Sequence, residues 1–142
     1  MRWTGPAGYW ASDEQELVNV RLVHGWLSRE AYWALGRPYE VVVQSIRNSL
    51  VIGLYAPGGE QAGLARLVTD YATFAWLCDV FVDPAHQGHG LGSFLVETAV
   101  GHPAVAAVPQ VLATEPGRTL YARHGYAALA RPERWMERRP AS

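Results

Sequence analysis

Val80-Phe81-Val82-Asp83-Pro84-Ala85-His86-Gln87-Gly88-His89-Gly90-Leu91-Gly92-Ser93 passes from an apolar run through a glycine-rich loop into the opening of a helical stripe. That succession makes an anion cradle. The first N–H groups of a helix lack intrahelical partners and sit at the positive end of its dipole, so they hold a phosphate without any cationic side chain. Glycines at 88, 90 and 92 admit unusual backbone angles and remove side chains that would block a close approach. A flexible turn capping an ordinary helix would use the same glycines, so the loop alone is a weak signal. Its G-x-G-x-G spacing departs from the G-x-G-x-x-G of a dinucleotide-binding unit, and no early strand stands in front of it. The functional reading is a phosphate-bearing cofactor.

Asp79 is a carboxylate inside the apolar run from Phe74 to Val82. An unpaired buried charge is costly, so this group must be paired, hydrated or functional. Strict alternation along a strand puts Leu77 and Phe81 on its face and Cys78 and Val80 on the other. Asp79 serves either as a general base or as an acceptor of hydrogen bonds from a nearby loop or from Arg66, and residue type does not choose between them. Cys78, the only cysteine, has no partner motif for nucleophilic attack. With His86 and His89 it makes a poor ligand set, so no metal is expected. Ser45, Ser49 and Ser93 lack the surroundings of a nucleophile elbow.

The composition narrows the chemistry further. At 142 residues with 49% hydrophobic and 18% charged, the chain suits one domain over 1–142 rather than two. All 12 basic residues are arginine. Whether codon bias or selection removed lysine, Schiff-base chemistry and Walker-type phosphate binding go with it. A net charge of −1 supplies no broad cationic field for a nucleic acid. One cysteine permits no internal disulfide and suits a reducing cytoplasm. The opening MRWTGPAGYW lacks the apolar core of a secretory signal, and no run approaches the roughly 18 apolar residues of a membrane span. A cytoplasmic protein without a membrane partner is expected.

The elements that must position these residues follow from patterning. After an irregular opening, Ser12 to Gln15 is a turn or helix start, and Leu17 to Leu27 has near-helical apolar spacing. Pro38 opens a second helix to about Asn48, with Tyr39, Val42, Val43, Ile46 and Leu50 on one face. Ser49 to Ala56 and Gly63 to Thr69 read as a hairpin about Pro57-Gly58-Gly59, and Phe74 to Val82 as a strand covered on both faces. Leu91 to Gly101 is a third helix, Gln110 to Ala113 a short strand, and Thr119 to His124 a short helix closed by Gly125. Tyr126 to Leu129 and Arg134 to Glu137 are weaker strand candidates. The sum is a mixed α/β domain.

Gln87-Gly88-His89-Gly90-Leu91-Gly92, after Asp79 to Val82 and Asp83-Pro84, resembles the coenzyme A pyrophosphate motif of the GNAT acetyltransferase superfamily. That motif reads Gln or Arg, two residues, Gly, one residue, Gly or Ala. Leu120-Tyr121-Ala122-Arg123-His124-Gly125-Tyr126 is similar to the family's Leu-Tyr-x-x-x-Gly-Phe segment, and the two motifs stand in the family's order. The resemblance covers about Leu50 to Tyr126. Ala65 to Phe74 running into Asp79 to Val82 is further similar to a small bacterial subgroup that does not itself name a substrate.

The resemblance implies a GNAT-like fold, α/β in the α+β sense, with a central, mostly antiparallel, splayed mixed sheet flanked by helices. It implies acetyl-CoA in a V-shaped gap between the strand ending at Val82 and the strand from Val111 to Thr114. The pantetheine arm pairs with backbone around Val80, Phe81 and Val82, while amides from Gly88 through Gly90, Leu91 and Gly92 to Ser93 hold the pyrophosphate. Gln87 and His89 add donors, His89 in a lesser role because its motif position is variable. Tyr121 matches the family's general acid. Trp26, Tyr32, Trp33, Arg37 and Tyr39 gather in the region that walls the family's acceptor site, and each aromatic among them either lines that pocket or anchors the core. Arg37 and Arg66 either hold a substrate carboxylate or serve structure.

The expected reaction is direct transfer of acetyl from acetyl-CoA to a small-molecule primary amine. Two other readings fit the same sequence: a coenzyme A-binding regulatory module without turnover, and acetylation of a protein N-terminus or aminoacyl-tRNA, for which Arg131, Arg134, Arg138 and Arg139 make a local basic patch. A homodimer through an exposed strand near the C-terminus is compatible with the sequence and not demanded by it.

Overall fold

The computed structural model describes residues 1–141. Six strands form one sheet in sequential order: β1 (Arg2–Thr4), β2 (Trp10–Ser12), β3 (Leu50–Tyr55), β4 (Gln61–Thr69), β5 (Ala75–Val82) and β6 (Gln110–Val111). All neighbours pair antiparallel except β5 and β6, which are parallel. Helices α1 (Val20–Arg29) and α2 (Tyr39–Arg47) lie between β2 and β3, α3 (Leu91–Gly101) between β5 and β6, and α4 (Arg118–Ala122) after β6. This is the mixed, mostly antiparallel sheet flanked by helices that the sequence implied.

The period-two pattern divides the core. Ile52, Leu54, Leu67 and Leu77 pack on one face with Leu95, Val96 and Ala99 of α3, while Val51 and Leu64 pack on the other with Val23, Trp26, Val42 and Ile46 of α1 and α2. The boundary of α1 differs from the periodicity because Asn19 caps it, its side chain accepting from the Leu22 amide. Gln15–Leu17 instead forms a separate 3₁₀ turn. On α2, Pro38 occupies the N-cap; of the expected face Val42 and Ile46 are buried on the helix, while Leu50 is buried as the first residue of β3.

The opening is not irregular: β1 and β2 make a hairpin on β3, each strand too short for alternation to show. At the other end, neither Tyr126–Leu129 nor Arg134–Glu137 is a strand. Pro132 has no N–H to give a ladder and starts a 3₁₀ turn over Pro132–Arg134. Tyr126 is held from the side, its hydroxyl donating to Gln110 Oε1 at 3.0 Å. The strand on which a homodimer contact relied therefore does not form.

The feature that shapes the site is a bulge. Leu64 pairs with Phe81 and Arg66 with Cys78, so Ala65 stands opposite two residues, Asp79 and Val80. Asp79 takes the left-handed conformation, φ 51°. Alternation breaks there: Leu77 and Val80 both pack with the α3 layer, and Phe81 with the α1–α2 layer. The strict alternation read from sequence thus fails at Asp79, which turns away from Leu77 toward Arg66 and the α1–α2 loop.

Candidate active site

β6 pairs with β5 only at Ala75 and Trp76, opposite Gln110 and Val111. Beyond them the chains part, and from Leu77 to Val82 no strand pairs with β5 on that side among the described residues. The splay opens a cavity of about 380 Å³. Cys78, Asp79 and Val80 form one wall, Leu112, Ala113 and Thr114 the opposite one. Tyr32, Trp33 and Arg37 of the α1–α2 loop border it, and Tyr121 of α4 lies at its edge. A larger cavity, about 620 Å³, lies beyond Thr114 and Tyr121, where Gly125 to Leu129 stands off the β6 edge. The smaller one holds the bulge, the open strand edge and Asp79, the only carboxylate among the described residues that border either cavity, which makes it the candidate site.

The glycine loop is built as a donor array. Gly88 and Gly90 have φ of 102° and 72°, values that favour glycine, and Gly90 is the N-cap of α3. Among the described residues, none of the amides from Gly88 to Ser93 donates to a protein carbonyl; the ladder resumes with Phe94 N–H to Gly90 O at 3.1 Å. No acidic side chain interrupts residues 84–93. These residues fit a diphosphate. Gln87 turns back, Nε2 donating to Val82 O at 3.4 Å, and the His89 ring lies against Tyr9, centroids 5.5 Å apart. Ser93 Oγ and His124 Nε2 are 2.8 Å apart, tying the start of α3 to the end of α4.

Tyr121 is half-buried, and its ring meets Tyr126 edge-on at 6.0 Å. Burial, with Tyr32 nearby, raises the phenol above its ordinary pKa, so it keeps its proton at neutral pH. Its place depends on a turn: Thr114 Oγ1 accepts from the Gly117 amide at 3.0 Å, and a Cβ on Gly117 would lie 2.7 Å from Tyr121 Cε2. Pro116-Gly117 reads in the sequence as a break leading into the short helix; the packing of Gly117 against the Tyr121 ring is a tertiary fact with no local signal.

Asp79 is the hub of the α1–α2 side. Oδ1 accepts from Trp33 Nε1 at 2.8 Å, and Oδ2 from Arg66 Nε at 2.8 Å and Arg37 Nη1 at 2.9 Å. Arg66 Nη1 also donates to Ser49 Oγ at 3.0 Å. Burial pushes the carboxyl up, but the guanidinium charges of Arg66 and Arg37 and these hydrogen bonds outweigh it, and the net shift is down. A carboxylate with this many donors and a depressed pKa takes a proton poorly. Burial conversely pushes the Cys78 thiol up to about 11, so it stays neutral and a weak nucleophile.

The sequence-derived set is thus partly assembled. Tyr32, Trp33, Arg37, Arg66, Asp79, Val80, Thr114 and Tyr121 border one cavity. Trp26 does not reach it: it is 4% exposed and packs on Phe81, centroids 5.5 Å apart, so a wall role gives way to a core role. Phe81 points its side chain into that core, and Leu91 is buried under α3, leaving both with backbone groups to offer. Trp76 and Cys78 line the cavity without having been singled out as acceptor residues, since their facing depends on where the strands part.

Residues 47–128 match the family model described as an acetyltransferase (GNAT) domain. A GNAT-family protein from Xanthomonas campestris pv. campestris is 36% identical, with a TM-score of 0.91 over 96% of each chain. A Gibberella zeae protein named as an acetyltransferase is 30% identical over 113 residues, covering 67% of this chain and 63% of its own, so the chain spans under two thirds of that relative. A Clostridium acetobutylicum structure described with acetyl-CoA shares the fold alone, at 12% identity and a TM-score of 0.67 over 98% of this chain and 96% of its own. No helix among the described residues is long and apolar enough to cross a membrane. By its matched domain and its full-length likeness to a GNAT protein, the chain belongs to the GNAT acetyltransferase family.

Proposed function

We propose that the chain transfers an acetyl group from acetyl-CoA directly to the primary amine of a small molecule. The observation that carries this reading is the tie between donor array and acid: unpaired amides of Gly88 to Ser93 stand at the head of α3, which Ser93 and His124 fasten to the helix carrying Tyr121. Those amides hold the diphosphate, and the open edge of β5 from Cys78 to Val82 offers main-chain groups to the pantetheine arm. When bound, acetyl-CoA supplies a thioester whose acyl carbon an amine can attack.

The protein's part is positioning and proton handling. The amine must arrive neutral, whereas a free alkylammonium has a pKa of roughly 10.4. Asp79 is a poor base, but the positive charge of Arg37 and Arg66 disfavours a neighbouring ammonium and eases loss of its proton to water. As the new C–N bond forms and the C–S bond breaks, Tyr121 would give its hydroxyl proton to the departing sulfur, and the proton that the nitrogen then loses to become an amide would return through water to the Tyr121 phenolate. Moving a proton from an ordinary phenol near 10 to a thiolate near 8.5 is uphill by about 2 kcal/mol, and the raised pKa of Tyr121 adds to this, so the donor must be held in place. Neutral Cys78 leaves a covalent enzyme intermediate without a nucleophile.

The test is a thermal-shift titration with acetyl-CoA, joined to a thiol-release assay over a panel of amines. Stabilisation by acetyl-CoA, turnover with at least one amine, and a fall of at least tenfold in kcat for Tyr121→Phe with cofactor stabilisation retained is the expected result. Cofactor binding without turnover would instead favour a regulatory coenzyme A-binding module.

A further inference from the structure

The charges around the cavity do not balance. Arg37 and Arg66 face a single carboxylate, Asp79, and no other acidic residue borders the cavity. One guanidinium charge is left in excess. Arg66 has two of its three nitrogens engaged, Nε on Asp79 and Nη1 on Ser49. Arg37 has one. It gives only Nη1 to Asp79, leaving Nε and Nη2 without a protein acceptor among the described residues, and its side chain is 21% exposed against 11% for Arg66. A guanidinium held by one nitrogen and open at the other two is preorganised to receive a carboxylate.

A second observation is independent of charge. Tyr32, Trp33 and Trp76 are 52%, 41% and 42% exposed and border the same cavity. Tyr32 and Trp33 meet edge to face, centroids 5.1 Å apart, while the Trp33 N–H is fixed on Asp79. Large aromatic faces left in water around one opening mark a surface that binds something apolar or aromatic.

Resting on the acetyl-transfer reading above, we infer that the acceptor is an aromatic α-amino acid or a close analogue, its carboxylate on Arg37 and its ring against Tyr32, Trp33 and Trp76. The amine then lies beside the carboxylate, within the reach of the splayed strands. A simple aromatic amine without the carboxylate leaves the excess charge unanswered and places its ammonium beside it.

Phenylalanine and phenethylamine differ only in that carboxylate and make the test. With acetyl-CoA and the full chain, kcat/KM should favour phenylalanine by at least tenfold, and Arg37→Gln should bring the ratio to about one. Because the ratio compares two substrates on one enzyme preparation, partial unfolding of the variant cancels. Equal or better use of phenethylamine by the wild type, or an unchanged ratio in Arg37→Gln, overturns the inference while leaving acetyl transfer intact. Should acetyl-CoA bind and another amine of the panel turn over while neither of these does, the acceptor inference is overturned; should no amine turn over, the transfer reading fails, and calorimetric titration of the coenzyme A complex with the same pair decides the anion site. Tighter binding of phenylalanine, lost in Arg37→Gln, upholds it, and equal binding overturns it. No stabilisation by acetyl-CoA removes the cofactor reading itself, and the same titration on the free protein then decides the anion site.

Discussion

The Trp33 indole N–H donates to Asp79 Oδ1 at 2.8 Å, bonding the α1–α2 loop to the strand beside the place where it leaves its neighbour. The same carboxylate carries Arg37 of that loop and Arg66 of β4. Asp79 thus holds the α1–α2 loop and the bulge in one network, while its left-handed backbone adds strain of order 1 kcal/mol that the bonds must offset.

Asp79→Asn removes the charge and leaves two guanidinium groups facing a neutral amide. Breaking a buried pair this way costs about 3 kcal/mol, because the orphaned charges stay desolvated. Urea unfolding at neutral pH should show that loss, and acetyl-CoA affinity should fall less than acceptor affinity, since the glycine loop lies outside the network. A stability within 0.5 kcal/mol of the wild type, roughly the range of a surface change, would mean the network is not holding the bulge.

The same network predicts a pH dependence. The folded Asp79 carboxyl titrates below its ordinary 3.8, so as pH falls the unfolded chain takes up the proton first. The stabilisation is therefore fully present above the ordinary value and drains away as pH drops through the depressed native one. The stability gap between wild type and Asp79→Asn should be constant from neutral pH to about pH 5 and should narrow by about pH 3. A gap that widens on acidification would contradict the pairing.

The three loop glycines should separate. Gly88 and Gly90 have positive φ and open space where a Cβ would go, so alanine there costs roughly 1–2 kcal/mol in backbone strain and swings the amides. Gly92 lies in the first turn of α3, where an added Cβ would meet only Leu120 Cδ2 at 3.9 Å. Gly92→Ala should raise the stability of the free protein by up to about 1 kcal/mol and leave acetyl-CoA affinity nearly unchanged, since alanine is the alternative residue at that position of the motif. Thermal melts with and without acetyl-CoA read both effects, and a large loss of affinity in Gly92→Ala with none in Gly88→Ala or Gly90→Ala would contradict this separation.

How much of this was legible in the sequence depends on the range of the interactions. The glycine loop from Gly88 to Ser93 and its free amides were readable because a strand, a glycine loop and a helix start are local events, and α3 was equally plain from its stripe. Asp79 was visible only as an anomaly. Its partners Trp33, Arg37 and Arg66 come from a loop and another strand, and the bulge that turns it toward them is a matter of pairing register, which alternation within one strand cannot express. Trp26 misled because an aromatic residue near a helix break serves core and pocket equally well by type. The expected C-terminal strands had β-prone residues but no partner, since Tyr126 is held by a side-chain bond to Gln110 rather than by a ladder.

Gly117 supplies the sharpest check on Tyr121. Its φ of −96° is open to any residue, so the obstacle to alanine is steric: a Cβ would lie 2.7 Å from Tyr121 Cε2 and 2.9 Å from Thr114 Oγ1. The ring must move, and its hydroxyl with it, while the amides of Gly88 to Ser93 stay where they are. Gly117→Ala should therefore lower kcat at least tenfold with little change in acetyl-CoA affinity. If the damage runs through the acid, adding the same change to Tyr121→Phe should cost almost nothing more, because residues that act as a unit do not add. Full additivity in that double-mutant cycle would show that Gly117 acts elsewhere and that Tyr121 is not the group the turn exists to place.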